Sequence, residues 1–231
     1  LYGRKHLEEL EQAGVLTDLI VTGDAPTPLS AILVKPDGLR TVINYKGAAV
    51  PIAADAVDLD IFEPRVMLFD GHQAYVSEKL VEIARRRGIP TVLDAGSLHP
   101  GTHLLAGLVD YVVASDKFAR QVSGQKDASV AARQLHRSGT AIVITQGAGG
   151  LVWHTDSGAG HLPAFKICAV DTTGAGDAFH GAFAAGLACG MPWPSLLRYA
   201  SATAALCCQK FGARLGMPDH YGVTDFLQQN L

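Results

Sequence analysis

Short apolar runs alternate with segments of helical spacing after Arg65, and this alternation constrains the fold more than any other feature. Ser77 opens one such helical segment, where it is predicted to act as the cap, and a second helix is predicted around residues 128–137. Strands that alternate with helices predict right-handed β-α-β units, a mainly parallel central sheet and helices on both faces, which is an α/β fold. The predicted strands are "RVMLFD", "TVLD", "DYVVAS" and "AIVIT".

Two further strand pairs are predicted outside this alternating region. "LSAILV" (29–34) and "TVINY" (41–45) flank the turn-forming "KPDGLR", which indicates a hairpin. A second hairpin or loose strand pair is predicted around "LVWH", leading into a strand "FKICAVD". The stretch "DTTGAGDAFHGAF" follows that strand, so residues 174–177 are expected at a strand-to-helix turn. Ligands of open parallel sheets bind at such turns.

Composition excludes several classes of protein. The chain has 231 residues, 48% of them hydrophobic, and a formal net charge of -3, so it can bury a core but has no strong field for nucleic acid or anionic membranes. Gly190 and Pro192 interrupt its most apolar stretch, which predicts a buried helix and not a membrane span. The four cysteines form no C-x-x-C pair, and the chain opens with no apolar signal core. We therefore expect a cytoplasmic protein with reduced thiols.

The "GAGD" turn carries the chemical prediction. It fits neither a dinucleotide fingerprint nor a P-loop, because the later positions of both motifs are wrong. Small residues at 174–176 would leave backbone N–H groups open at a helix start, which is an anion site. Asp177 would repel a resting phosphate unless it takes a proton while phosphate charge develops, which suggests phosphoryl transfer to an alcohol. The same spacing also fits a glycine-rich helix start that Asp177 caps, and spacing alone leaves both interpretations open.

The stretch "DTTGAGDAFHGAF" is similar, without a break, to the second signature of the ribokinase family, also called the PfkB carbohydrate kinases. "TQGAGG", "ASATAAL" and "FGARLGMPD" resemble the nucleotide-side elements of that family. Together with "VINY" and "PAFK", they look closest to the branch of ketohexokinase and sulfofructose kinase. The resemblance implies a ribokinase-like fold with a small β lid, and a kinase that uses ATP and Mg²⁺ to phosphorylate a small sugar or keto-sugar. It also allows a monovalent cation as a further cofactor.

The resemblance also implies roles for particular residues. Asp177 would be the catalytic base, and Gly174, Ala175 and Gly176 would form the anion hole. The hairpin would belong to a lid of strands at approximately 18–45, from which Asn44 faces the substrate. The residues implied for the nucleotide site are Thr145, Gly147, Gly150, Ser201 and Gly212.

Three other polar residues are ambiguous in the sequence. His72 follows a predicted strand end, so a sugar contact and an ordinary loop histidine fit equally well. Asp94 follows "TVL" and fits either a cleft-facing ligand or a loop cap. His180 lies inside the helix after the motif and is interpreted as a packing residue.

Two departures from the family pattern affect these expectations. The N-x-x-E element that organises magnesium is replaced by "SDKF" at 115–118, so the sequence assigns no metal ligand. The family's first strand and Gly-Gly helix have no counterpart before "GRKHLEELEQAGV". We expect residues 1–231 to form a single kinase domain without that N-terminal part, with apolar surface exposed at a sheet edge or on the lid. A homodimer through the lid is compatible with such a surface.

Two alternatives to a sugar kinase remain open. One is a nucleoside kinase of the same family. The other is a catalytically silent protein that binds a nucleotide or a sugar, which the lost N-x-x-E element would suit. The sequence does not identify the sugar, since specificity depends on a few hydrogen bonds to particular hydroxyls.

Overall fold

A helix and a two-stranded hairpin form the first part of the computed structural model, which describes residues 2–36, 40–47, 50–59 and 62–230. Helix α1 spans Tyr2–Gln12, and strands β1 (Leu29–Val34) and β2 (Arg40–Tyr45) pair antiparallel. The predicted hairpin is therefore confirmed, while part of its predicted turn, residues 37–39, lies outside the described residues.

A six-stranded sheet forms the centre of the described structure, with its strands in sequence order from β3 to β8. The first four strands are parallel, and β7 and β8 add an antiparallel hairpin to the β6 edge. The mostly parallel sheet confirms the predicted fold class. The antiparallel pair of β7 and β8 confirms the second predicted hairpin. The strands are β3 Met67–Phe69, β4 Thr91–Ala95, β5 Tyr111–Ser115, β6 Ala141–Thr145, β7 Leu151–Thr155 and β8 Gly158–Leu162.

Helices cover both faces of the sheet. Side chains of consecutive strand residues point to opposite faces, so Leu93 joins the core formed with α2 to α5, while Val92 joins the core formed with α6 and α7. The helices after β3 are α2 Ala74–Arg87, α3 Pro100–Ala106, α4 Asp116–Ser123, α5 Ala128–Leu135, α6 Ala175–Ala188, α7 Trp193–Cys207, α8 Ala213–Gly216 and α9 His220–Gln229. In the described residues, none of the helices is both long and apolar enough to cross a membrane.

The start of α2 differs from the prediction. The helix begins at Ala74, and Ser77 is a buried residue within it and not its cap. The N–H of Ser77 donates to the carbonyl oxygen of Gln73 at 3.0 Å, so a helical turn is already complete when the chain reaches the serine. The predicted end is confirmed, since Gly88 terminates the helix in the left-handed conformation with φ of 66°.

The predicted strand "FKICAVD" is wrong, because β8 ends at Leu162 and the described chain from there to the motif is irregular. Pro163 follows directly and lacks the N–H that a sheet ladder requires. The N–H groups of Val170 and Asp171 instead donate to the carbonyl oxygen of Cys208, at 2.8 and 3.2 Å. The end of α7, and not a strand, therefore holds the start of the motif.

The hairpin of β1 and β2 exposes apolar side chains, as expected from the sequence. Leu33, Ile43 and Tyr45 each keep 60% or more of their surface accessible. Helix α1 likewise contributes no buried residue among those described. The role of the hairpin as a lid, and pairing between two copies, stay predictions.

Candidate active site

Asp171 anchors the motif to the chain that follows α7. Its carboxylate accepts hydrogen bonds from the N–H of Thr173 at 2.8 Å and from the N–H of Gly212 at 2.9 Å. Burial raises the pKa of Asp171, but the hydrogen bonds from Thr173 and Gly212 outweigh that effect and hold the pKa below its ordinary value. This carboxylate therefore joins two loops that the sequence separates by 41 positions.

Gly174 allows these two loops to approach closely. It is the residue before α6 and has φ of 79°, a conformation that costs other residues free energy. A Cβ atom at this position would lie 2.4 Å from the Cβ atom of Ala213. Gly212, which was predicted for the adenine side, is consequently held next to the motif.

The first turn of α6 presents open backbone donors. The N–H of Ala175 donates to the carbonyl oxygen of Thr172 at 3.3 Å, whereas those of Gly176 and Asp177 have no partner among the described residues. Apart from its chain neighbours and the adjacent backbone of α6, no atom lies within 4 Å of the position that a Cβ atom on Gly176 would take. Two N–H groups without a described partner, at the positive end of a long helix, are able to bind an anion.

Two carboxylates and a histidine surround this turn. Asp177 is exposed on the first turn of α6. Burial raises the pKa of Asp94, and the charge of Asp177 raises it further, against the opposing effect of His180. His180 is 4% exposed, and its Nδ1 atom lies 3.2 Å from Oδ2 of Asp94. From the sequence, Asp94 is ambiguous and His180 is interpreted as a packing residue. The signal available for His180 is its four-residue spacing from Gly176, which places these two residues on one face of α6.

The predicted nucleotide loop lies where β6 ends. Thr145 is the last residue of β6 and pairs in register with Ser115 on β5. Gly147 and Gly150 both have positive φ, and a Cβ atom on Gly150 would lie 2.1 Å from the carbonyl oxygen of Leu162. The loop is thus a tight turn that side chains would obstruct. Ser201, the remaining predicted residue on this side, is half-buried on α7.

The described contacts of the predicted substrate residues are with residues outside the motif. Oδ1 of Asn44 accepts a hydrogen bond from Ser30 across the hairpin at 2.7 Å. The ring of His72 stacks on that of His99, with centroids 4.9 Å apart. Partial burial lowers the pKa of His99, and the nearby His72 lowers it further. The described contacts bring neither Asn44 nor His72 to Asp177.

A contact that no sequence pattern predicts joins the hairpin to the motif. The guanidinium of Arg40 donates to the carbonyl oxygen of Thr172 at 2.9 Å and to its hydroxyl oxygen at 2.7 Å. These residues are 132 positions apart, and neither belongs to a recognisable pair in the sequence. The hairpin therefore rests on the loop that leads into α6.

The "SDKF" segment, residues 115–118, forms the start of α4. Ser115 caps the helix by accepting a hydrogen bond from the N–H of Phe118 at 3.0 Å. One oxygen of Asp116 pairs with Arg120 at 2.7 Å, and the other is buried without a hydrogen-bond partner among the described residues. The described residues contain no group of three or more acidic, histidine or cysteine side chains arranged to hold a metal ion.

Comparison with known proteins identifies the class to which this fold and site belong. The model of the pfkB family of carbohydrate kinases matches residues 1–220. The ribokinase of Schizosaccharomyces pombe is 30% identical over 94% of this chain and 73% of its own length. The crystal structure of a putative ribokinase from Agrobacterium tumefaciens superposes with a TM-score of 0.87 at 27% identity, over 98% of this chain and 76% of that one. A putative ribokinase II from Escherichia coli, solved in complex with ATP and Mg²⁺, gives a TM-score of 0.85 at 21% identity, over 98% and 79%.

The chain belongs to the pfkB family of carbohydrate kinases. The predicted family, the ribokinase-like fold and the enzyme class are confirmed. The narrower likeness to ketohexokinase and sulfofructose kinase stays a prediction.

Proposed function

We propose that this kinase transfers the γ-phosphoryl group of ATP to a hydroxyl of a small sugar or keto-sugar, with Asp177 as general base. The observation that carries the proposal is the first turn of α6. There an exposed carboxylate stands beside two backbone N–H groups that have no described partner. An anion site with a carboxylate next to it suits a reaction in which a proton leaves while phosphate charge is transferred.

The proposed step uses these groups as follows. The substrate hydroxyl oxygen forms a bond to the γ-phosphorus, the bond from that phosphorus to the β-phosphate oxygen breaks, and ADP leaves. The hydroxyl proton passes to the carboxylate of Asp177. The N–H groups of Gly176 and Asp177 donate to the transferring oxygens, together with that of Ala175 once it releases Thr172.

Thr145, Gly147 and Gly150 are proposed to line the nucleotide phosphates and ribose. Ser201 and Gly212 are proposed to lie beside the adenine. The hydrogen bond between Gly212 and Asp171 supports this assignment, because it holds the α7–α8 loop against residues 171–177, which we call the phosphate turn. The complex of the Escherichia coli relative with ATP and Mg²⁺ agrees with the choice of nucleotide.

Magnesium fits the residues of this site through Asp116. One carboxylate oxygen of Asp116 is buried without a described partner and is a hard acceptor of the kind that Mg²⁺ or its bound waters prefer. Asp116 directly follows Ser115, which is the register partner of Thr145 in the predicted nucleotide loop. When bound, Mg²⁺ would neutralise charge on the nucleotide phosphates. A monovalent cation stays a prediction.

On the substrate side, Asn44 and His72 are proposed as sugar contacts. Both are exposed and polar, and His72 stands beside Asp70 at the carboxyl end of β3. Asn44 would have to exchange its bond with Ser30 for one with a hydroxyl.

The test is ADP formation by the intact protein with ATP and Mg²⁺, against a panel of sugars, keto-sugars and nucleosides. The proposal expects turnover with a sugar or keto-sugar. Turnover with nucleosides alone would assign the alternative kinase activity. A melting shift with ATP but no ADP from any acceptor would identify a silent binding protein and refute the proposal.

A further inference from the structure

His180 is a buried side chain that bonds with three different elements. It lies on α6, one turn after Gly176, and its Nδ1 atom is 2.6 Å from the carbonyl oxygen of Gly176 and 3.2 Å from Oδ2 of Asp94 on β4. Its Nε2 atom is 3.0 Å from the carbonyl oxygen of Val113 on β5. The ring therefore joins the first turn of α6 to two strands of the sheet.

The partners determine which way these hydrogen bonds run. A carbonyl oxygen can only accept, so Nδ1 donates to Gly176 and Nε2 donates to Val113. An imidazole that donates from both nitrogens carries a positive charge, and a buried charge requires a partner of opposite sign. The carboxylate of Asp94 is that partner. Asp70 and Asp177 are the other charged groups that act on Asp94.

The bond to Gly176 acts on the anion site through the planarity of the peptide. The carbonyl of Gly176 and the N–H of Asp177 belong to the same peptide unit, and in a trans peptide they point in opposite directions. A donor that holds the carbonyl therefore also fixes the direction of the N–H, which is one of the two without a described partner. A charged donor on the carbonyl also polarises that N–H and strengthens its own hydrogen bonding.

We propose that His180 is a positioning residue, which holds the Gly176–Asp177 peptide so that its N–H points at the transferring phosphate, and that Asp94 keeps the ring in its double-donor form. This inference rests on the proposed function for its kinetic consequence. The hydrogen-bonded form of the ring is a separate claim about the structure.

Two substitutions separate the two bonds of the ring. In His180→Asn the amide nitrogen takes roughly the place of Nδ1 and can still donate to Gly176. In His180→Gln it takes roughly the place of Nε2 and can still donate to Val113. We expect kcat to stay close to wild type in His180→Asn and to fall by about 100-fold in His180→Gln, since a displacement of about 1 Å at a reacting group costs that much. The KM for sugar should change little in both.

Thermal unfolding of the same variants distinguishes positioning from general stability. His180→Asn loses the bond to the sheet, so it is expected to be no more stable than His180→Gln although it is the faster enzyme. A kcat that falls in both variants in proportion to their loss of stability would refute the positioning role. So would a wild-type kcat in His180→Gln.

The form of the ring is tested without turnover. The ¹⁵N spectrum of the wild-type protein, with the His180 signals assigned by their absence in His180→Asn, should show a proton on both ring nitrogens. In Asp94→Asn one of these protons should be lost. A wild-type ring with a single protonated nitrogen would overturn the inference, whatever the turnover of the variants. Absence of turnover by the wild type would instead count against the proposed function alone.

Discussion

Substitution of Gly174 by alanine tests whether the close contact between the motif and α8 holds the anion site in place. The backbone φ of 79° costs a residue with a side chain about 1–2 kcal/mol, and the 2.4 Å approach to the Cβ atom of Ala213 adds about 1–3 kcal/mol of overpacking. We expect Gly174→Ala to lower the free energy of unfolding by about 2–5 kcal/mol. For a chain of this size, that corresponds to a fall in Tm of about 10 °C.

Gly124→Ala is the matched control for this experiment. Gly124 ends α4 with a similar φ of 71°, but apart from its chain neighbours no atom lies within 4 Å of the position of its added Cβ. It should lose only the conformational contribution of about 1–2 kcal/mol. In a double-mutant cycle, Ala213→Gly should recover most of the excess cost in Gly174→Ala, because it removes the atom that the new Cβ meets.

The measurement is denaturant unfolding of the variants in parallel, with kinase turnover of the folded fraction. Turnover should fall in Gly174→Ala and stay near wild type in Gly124→Ala, since only the first displaces the phosphate turn. Equal stability of Gly174→Ala and Gly124→Ala, or no recovery with Ala213→Gly, would refute the reasoning.

Two further predictions concern contacts to the same loop. Arg40→Ala should reduce turnover. It should change the free energy of unfolding by no more than about 0.5 kcal/mol, because the Arg40–Thr172 contact is exposed. Unchanged steady-state kinetics would show that the hairpin does not act through this contact. Asp171 has a lowered folded-state pKa, so its contribution to stability is present above its unfolded pKa and is lost as pH falls through the folded one. The Asp171→Asn variant should therefore be less stable than wild type at neutral pH, and its stability should depend less on pH in the acid range. A stability–pH curve parallel to that of wild type would contradict this.

The strands and the motif could be predicted because their signals are local. β4, β5 and β6 are short apolar runs whose burial on both faces requires that composition, and the residues of the phosphate turn are contiguous from Asp171 to Asp177. The hairpin followed from turn formers between two apolar runs.

The features that were predicted wrongly or missed from the sequence depend on contacts that the sequence does not show. The run "FKICAVD" has the composition of a strand, but the N–H groups of its last two residues, Val170 and Asp171, donate to the carbonyl oxygen of Cys208. Helix α2 begins before Ser77, its apparent cap, because the hydrogen bond from the N–H of Ser77 to the carbonyl oxygen of Gln73 already completes a helical turn. The bond of His180 to Val113 and the bond of Arg40 to Thr172 reach across 67 and 132 positions, so no spacing rule could pair these residues.

The central claim is that Asp177 is the base next to a separate anion site, and Asp177→Asn tests it most directly. The substitution removes the carboxylate and leaves the N–H groups of the turn in place, so turnover should fall by about 10²- to 10⁴-fold while ATP affinity by calorimetry stays unchanged. Asp127→Asn is the control, because Asp127 caps the start of α5 by accepting hydrogen bonds from the N–H groups of Ser129 and Val130. Near-normal turnover in Asp177→Asn would contradict the account and leave the motif as a capped, glycine-rich turn.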